Sequence, residues 1–336
     1  MADTYRAGRN RTMTLSVSER AELSERLVRL TAPAVPSDLI GRTVCQDLFE
    51  ALPHLPSGFV DLLIVDPPYN LAKSFNGRAF KPLTDHRYEG WINSWLGPLG
   101  RVLKPSASVY VCCDWRCSAS VQRAGERYFR VQNRITWERE KGRGARRNWK
   151  NCSEDIWFFT VSPDFTFNVD TVKMKRRVVA PYTTANGRPK DWQRTTAGDF
   201  RLTHPSNLWT DISVPFWSMP ENTHHPTQKP EKLVAKLVLA SSNPGDVVLD
   251  PFLGVGTTSV VAKKLGRAYV GIEIDDSYCC LAEKRLAVAD AECAIQGYRD
   301  GVFWERNSLA DQRRVVADPK GGVSGERLLF DAERLR

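Results

Sequence analysis

The chain has 336 residues, 42% hydrophobic and 26% charged, the balance of a soluble globular protein able to bury one large core or two smaller ones. No apolar run is long enough to span a bilayer as a helix, so no membrane partner is expected, and the formal net charge of +9 points toward an acidic partner. The eight cysteines (Cys45, Cys112, Cys113, Cys117, Cys152, Cys279, Cys280 and Cys293) include two adjacent pairs and no CxxC spacing, which argues against a zinc site. The polar start, Met1 to Thr12, lacks the apolar core of a signal peptide. Free thiols in a reducing cytoplasm, and no metal, are expected.

In chain order, residues 1–37 read as an extension with one helix. Ser16 or Ser18 caps a helix running to about Leu30, with Leu23, Leu27, Val28 and Leu30 on one face. Two prolines between Thr31 and Ser37 make the connector that follows. Residues 38–161 form the first half of the core. Gly41 to Asp47 reads as a short strand, Leu48 to Leu52 as a helical turn, and Val60 to Val65 as a buried strand. That strand runs into Asp66-Pro67-Pro68-Tyr69-Asn70. Each proline fixes its own φ and drives the residue before it toward an extended conformation. Asp66 and Tyr69 are thereby held at the carboxyl end of a strand, where open α/β sheets place their ligands. A long polar loop to about Glu89 has the length of a lid or binding element. Tyr88 to Leu103 reads as a helix kinked at Gly97-Pro98, and Ala107 to Cys113 as a strand. Val131 to Trp137 and Asp155 to Val161 are strands flanking the basic loop from Arg139 to Lys150.

Between Arg134 and Arg201 stand 15 Lys+Arg against 8 Asp+Glu, so seven of the nine net positive charges fall in this window. Lysines and arginines interleaved with aromatics suit a polyanion, since they displace counterions from phosphates. Residues 162–223 mix aromatics, prolines and basic residues without a clear period, and read as an irregular inserted region for partner recognition. Regular patterning returns in residues 224–290. Pro230 opens a helix, Asp246 to Asp250 is a strand, and Pro251-Phe-Leu-Gly-Val-Gly256 leads into a helix over Thr257 to Leu265. Ala268 to Ile274 is the next strand, and Asp276 caps a last helix to about Ala289. Residues 291–336 read as a charged extension.

The segment from Asp246 to Asp275 is a β-α-β unit with a glycine-rich turn and an acid about twenty residues on. Gly254 and Gly256 let the backbone approach a ligand, and Glu273 can accept hydrogen bonds from two ribose hydroxyls. Such a unit serves an adenosine-containing cofactor, either NAD or S-adenosylmethionine. Ser259 in place of a third glycine, and Pro251-Phe252 after Asp250, depart from the dinucleotide pattern.

Four motifs together carry a resemblance: DPPYN at 66–70, HPTQKP at 225–230, DPFLGVGTT at 250–258 and GIEID at 271–275. In this order the chain resembles the beta class of amino-directed DNA methyltransferases, N6-adenine or N4-cytosine, over about residues 39–290. The resemblance implies a seven-stranded, mostly parallel, Rossmann-like sheet with permuted motif order and a target-recognition region at 162–223. It implies S-adenosylmethionine as cofactor, a flipped base in duplex DNA as substrate, and adenine N6 as the favoured amine because DPPY is the common adenine form. Catalysis falls to Asp66, Pro67, Pro68 and Tyr69. The carboxylate of Asp66 and the carbonyl of Pro67 accept the amino hydrogens and localise the nitrogen lone pair, while Tyr69 stacks on the base. Cofactor contacts fall to Asp47, Thr227, Gln228, Lys229, Asp250, Phe252, Gly254, Gly256, Thr257, Thr258 and Glu273. DNA contacts are expected from Arg143, Arg146, Arg147, Lys150, Lys173, Lys175, Arg176, Arg177, Arg188 and Lys190. The class also suggests a homodimer and a cognate restriction endonuclease acting on the same site. A non-catalytic DNA-binding relative, a nicotinamide oxidoreductase and an RNA substrate are the competing readings; methyl incorporation into DNA and cofactor-dependent thermal shifts separate the first two from the class reading.

Overall fold

The computed structural model describes residues 8–305 except 76–77, 140–145, 179–180 and 196–197. In chain order the first half holds α1 (Val17–Ser24), α2 (Pro36–Leu39), β1 (Arg42–Cys45), α3 (Leu48–Ala51), β2 (Val60–Val65), β3 (Lys73–Phe75), β4 (Arg78–Phe80), α4 (Asp85–Gly100), β5 (Leu103–Asp114), α5 (Ser118–Glu126), β6 (Arg130–Glu138) and β7 (Ser153–Thr160). The second half holds β8 (Met174–Arg177), β9 (Gln193–Thr195), β10 (Gly198–Thr203), β11 (Leu208–Trp209), α6 (Glu231–Ser241), β12 (Val247–Asp250), α7 (Thr257–Lys264), β13 (Ala268–Glu273), α8 (Asp276–Ala291), β14 (Tyr298–Arg299) and β15 (Val302–Trp304).

Eight strands form the main sheet in the order β1-β13-β12-β2-β5-β7-β6-β11. All neighbours are parallel except β7, which runs antiparallel to both β5 and β6. The expected seven strands are thus joined by an eighth, the two-residue β11 at the β6 edge. Both faces of the sheet are covered. Leu63 and Val65 of β2 pack into one core with Ile92, Trp95 and Leu96 of α4, while Leu62 and Ile64 pack into a second core with Leu233, Val234 and Leu237 of α6. A strand buried on both faces needs apolar residues on both, which is why Leu62 to Val65 shows no alternation; Asp61, at the start of the strand, is paired with Lys104 at 2.8 Å.

The register decides the chemistry. β12 lies beside β2 with Val248 opposite Leu62 and Leu249 opposite Leu63. β1 lies beside β13 with Cys45 opposite Glu273. The carboxyl ends of β1, β13, β12 and β2 therefore share one sheet edge, and with them Asp47, Glu273, Asp250 and Asp66.

Several local expectations change. The front helix stops at Ser24 rather than Leu30, because Val28 pairs with Val44 at the edge of β1 and its backbone bonds to Thr43 and Cys45. Tertiary pairing outweighs helix propensity there. α1 rests on α8, where Arg20 meets Asp276 at 2.5 Å and Lys284 meets Glu19 at 2.5 Å. Asp275, not Asp276, caps α8 by accepting the N–H of Tyr278 at 3.0 Å. α4 begins at Asp85 and ends at Gly100, and Leu103 to Pro105 already belong to β5. Helix α5 was not anticipated, since its buried face is made of small residues, Ser118, Ser120, Ala124 and Gly125, with only Val121 larger. A Cβ on Gly125 would sit 2.3 Å from the Phe159 ring, so the glycine sets how closely this helix approaches the sheet.

The inserted region is more regular than its sequence. β8, β9 and β10 form a second sheet of order β14-β15-β8-β10-β9, completed by strands from residues 298–304. Val172, Met174 and Phe303 anchor it to the α6 side of the main sheet. Beneath it the buried Asp211 binds the ammonium groups of Lys232 and Lys236, each at 2.7 Å, and Lys232 also donates to the Trp304 carbonyl.

Candidate active site

A cavity of about 590 Å3 opens along the shared sheet edge. Asp66, Pro67, Pro68 and Tyr69 line one part of it, and Asp47, Phe49, Gly254, Glu273 and Ile274 line another. The Asp66 segment is fixed from both sides. Tyr88 donates its hydroxyl to the Pro68 carbonyl at 2.9 Å, and the Asn70 carboxamide bonds both the N–H and the carbonyl of Leu83. Asn70 thus closes the loop that carries β3 and β4 rather than facing the cavity.

Asp66 sits in a five-residue polar cluster with Lys229, Tyr69, Glu154 and Arg139. Lys229 donates to both of its oxygens at 2.7 Å. Its Oδ1 also lies 3.0 Å from the Tyr69 hydroxyl, which lies 3.0 Å from Glu154 Oε2 as well. A phenol has one proton, so it serves one carboxylate at a time. Lys229 Nζ is 3.4 Å from the same Glu154 oxygen, and Arg139 pairs with the other. Burial, reinforced by the Asp66 charge, holds the Tyr69 phenol well above its ordinary pKa, so it remains a neutral donor.

The glycine-rich turn forms the other wall. Asp250 accepts the Thr258 hydroxyl at 2.6 Å and the Phe252 N–H at 3.0 Å. Glu273 accepts the N–H groups of Gly254 at 2.8 Å and Asp275 at 2.9 Å. Burial pushes both carboxyls up to about 7. His225 stacks edge-on against Tyr278, with ring centres 4.6 Å apart, and burial lowers its pKa to about 4, so the ring is neutral at pH 7.

The expected cofactor contacts do not all stand alike. Asp47, Thr227, Gln228, Lys229, Asp250, Phe252, Gly254, Thr257, Thr258 and Glu273 line the cavity. Asp47 also caps α3 through the Phe49 N–H at 2.8 Å, and the Gln228 side chain is engaged with Thr223 and the Glu221 carbonyl. The Lys229 ammonium points at Asp66. Gly256 has a different task from the one its motif suggests. Its φ is +81°, and a Cβ there would meet the Ala282 Cβ at 2.6 Å, so the missing side chain admits α8.

Of the expected DNA contacts, Arg143 lies outside the described residues. Arg146, Arg147 and Lys150 are exposed in the β6–β7 connection, which leads directly into the cavity residues Asn151, Ser153 and Glu154. Arg188 and Lys190 are exposed near β9. The four on or beside β8 are partly engaged within the small sheet. Lys173 pairs with Asp170 at 2.8 Å, and Lys175 lies over the Phe200 and Trp304 rings at 5.1 and 4.6 Å. Arg176 reaches Glu305 at 3.9 Å and Arg177 lies 5.9 Å from the Phe200 ring.

Glu154 and Arg139 escaped the sequence reading. The available signal was the acidic pair Glu154-Asp155 at the start of an apolar strand, where an acid is ordinarily a solvated strand end. Among the described residues no group of histidines, cysteines or carboxylates has a metal-binding arrangement.

Known proteins resemble this chain over most of its length. A family model for N6 and N4 enzymes, described as DNA methylase, matches residues 60–284. The type II methyltransferase M.HpaI of Haemophilus parainfluenzae is 35% identical over 250 residues, covering 73% of this chain and 74% of that protein. The DNA adenine methyltransferase YhdJ of Escherichia coli (strain K12) is 32% identical over 250 residues, covering 72% of this chain and 81% of that protein. Among solved structures, the cytosine-N4-specific PvuII DNA methyltransferase aligns with a TM-score of 0.52 at 17% identity, covering 78% of this chain and 93% of that one, a likeness of fold alone. With that family model matching from β2 into α8, two thirds of the chain, and with relatives more than 30% identical over most of it, the chain belongs to the DNA methylase family.

Proposed function

We propose that this protein transfers a methyl group from S-adenosylmethionine to the N6 amino group of adenine in duplex DNA. The observation that carries the reading is that Asp66-Pro67-Pro68-Tyr69 and the Gly254–Glu273 wall open into one cavity, although the chain separates them by nearly the whole core. The cavity has the size of a small-molecule site. It is lined by six carboxylates, Asp47, Asp66, Asp114, Glu154, Asp250 and Glu273, against the cations Lys73, Arg139 and Lys229, an excess that suits a cationic ligand. Glu273 would take the ribose hydroxyls, Phe49 and Ile274 offer apolar contact to the adenine, and Thr257 and Thr258 at the start of α7 would receive the carboxylate end. When bound, the cofactor supplies an electrophilic methyl group on a sulfonium.

The work of the chain is positioning. Asp66 and the Pro67 carbonyl accept the two amino hydrogens of the target base, which draws the nitrogen toward sp3 geometry and frees its lone pair. The base reaches them by leaving the stack, and the neutral Tyr69 ring is its stacking face. Residues 162–223 act as the target-recognition region, with Arg146, Arg147 and Lys150 on the phosphates. Adenine is favoured by the DPPY form of the catalytic motif and by the 32% identity to a DNA adenine methyltransferase. Cytoplasmic location accompanies this reading, and the class resemblance adds a homodimer and a cognate restriction endonuclease acting on the same DNA site as the partners to test for.

Mass spectrometry of nucleosides from DNA of expressing cells tests the base directly. N6-methyladenine is expected, and N4-methylcytosine without it would overturn the choice of amine. Asp66→Ala is expected to abolish methyl transfer while S-adenosylhomocysteine still binds; near-full activity would overturn the catalytic assignment.

A further inference from the structure

The Asp66 carboxylate already holds donors where the target amine must go. Two oxygens offer about four lone-pair directions. Lys229 takes one on each oxygen at 2.7 Å, and the Tyr69 hydroxyl approaches Oδ1 at 3.0 Å. The ammonium thus occupies the position of an exocyclic amine, with N–H groups aimed at the same acceptor. It is only 9% exposed, so a base that displaces it cannot simply push it into water. A buried ammonium without a counter-ion is costly, so displacement needs a second anion within reach.

Glu154 is that anion. It is 4% exposed and stands 3.4 Å from Lys229 Nζ. Arg139 holds its other oxygen, which keeps the carboxylate in place. Closing the gap to the short distance of a charge-assisted hydrogen bond takes a shift of well under about 1 Å. We propose that Lys229 and Glu154 form a substrate-operated latch: in the free enzyme Lys229 caps Asp66, and capture of the flipped base transfers the ammonium to Glu154. The latch rests on the reading of Asp66 as acceptor of the target amine. It keeps the catalytic carboxylate satisfied until a base arrives, and it makes Glu154 a positioning residue that acts through Lys229. No bond is made or broken in the shift; the ammonium keeps its protons and exchanges one carboxylate for another.

Four proteins test it: the wild type, Glu154→Gln, Lys229→Met and the double variant. Each is assayed for methyl incorporation into duplex DNA, for S-adenosylhomocysteine affinity by calorimetry, and for base capture by fluorescence of a 2-aminopurine placed next to the target adenine, which keeps its 6-amino group. In Glu154→Gln the ammonium has nowhere to go. Its kcat/KM for DNA is expected to fall at least tenfold, with cofactor affinity within threefold of the wild type. Adding Lys229→Met to that background removes the cap and is expected to restore at least fivefold of the loss, which a merely structural Glu154 would not allow. A Glu154→Gln enzyme within twofold of wild type, or a double variant no better than Glu154→Gln, overturns the latch. If Glu154→Gln does not fold, Lys229→Met decides alone: its 2-aminopurine signal is expected to rise at least threefold at subsaturating enzyme, and an unchanged or weaker signal overturns the proposal. A wild type that methylates no DNA instead refutes the reading on which the latch rests.

Discussion

Replacing Gly256 by alanine separates packing from binding in the glycine-rich turn. Gly256 has φ +81°, and a Cβ there would lie 2.6 Å from the Ala282 Cβ and 3.0 Å from its Cα. Forcing an L-residue into the left-handed region costs about 1–2 kcal/mol. The contact adds roughly 1–3 kcal/mol, the usual range for overpacking, because one of the atoms met is backbone and cannot rotate away. The sum, roughly 2–5 kcal/mol, would lower the melting temperature by roughly 3–7 °C, since unfolding a chain of this size gains roughly 0.7 kcal/mol/K of entropy. Below that temperature the folded fraction is expected to bind S-adenosylhomocysteine within threefold of the wild type, because Gly256 does not line the cavity. Gly254→Ala should behave oppositely. Its φ is +55°, it lines the cavity, and its added Cβ would stand 3.4 Å from the His225 ring, which leaves more room than at Gly256. Its stability loss is expected to be the smaller, and its cofactor affinity to fall at least tenfold. Differential scanning calorimetry with isothermal titration on both variants checks this. A Gly256→Ala protein that melts within 2 °C of the wild type but loses cofactor affinity would refute the packing assignment.

Cofactor affinity should depend on pH through Glu273, whose carboxyl burial raises to about 7. Ribose hydroxyls donate to the ionised form, so affinity is full above pH 7 and falls below it, by up to about tenfold per unit; titration calorimetry at pH 6 and pH 8 should show the drop, and Glu273→Gln should weaken binding and remove Glu273's share of the slope. Asp211→Ala leaves the buried Lys232 and Lys236 without their shared carboxylate, an expected loss of roughly 3–5 kcal/mol. Denaturant unfolding measures it, and hydrogen exchange should show the strand at Val302–Trp304 loosened, since Lys232 ties Trp304 to the same cluster. Arg146→Ala with Arg147→Ala should reduce the slope of log Kd for DNA against log salt by about 2, uniformly across sequences, as lost phosphate contacts do; an unchanged slope would remove these residues from the interface.

Much of the site is legible in the amino-acid sequence. Val60–Val65 and Val247–Asp250 are short, largely apolar, β-branched runs that lead into an acid followed by proline, and their length and that flanking proline favour a buried strand that stops at the sheet edge over a helix. Helix α6 was equally plain, since Leu233, Val234, Leu237 and Val238 recur at helical spacing. Helix α5 was not, because a face of serine, alanine and glycine carries no hydrophobic period although Gly125 lies against Phe159. Residues 298–304 read as part of a charged extension, since strands of two and three residues are shorter than any period that could announce them. Their place beside β8 is set by Phe303 packing in the α6 core and by the bond from Lys232 to Trp304.

By itself the amino-acid sequence determined that Asp66, Asp250 and Glu273 would stand at strand ends, because local alternation, proline and glycine act within a few residues of where they occur. It did not determine that these ends would be neighbours. That follows from β12 lying between β13 and β2, a choice made by helices packing on both faces of the sheet. Glu154 was invisible for a related reason. It opens its strand rather than closing it, and only the antiparallel course of β7 carries that opening to the same edge, opposite Asp114 and within reach of Tyr69 and Lys229.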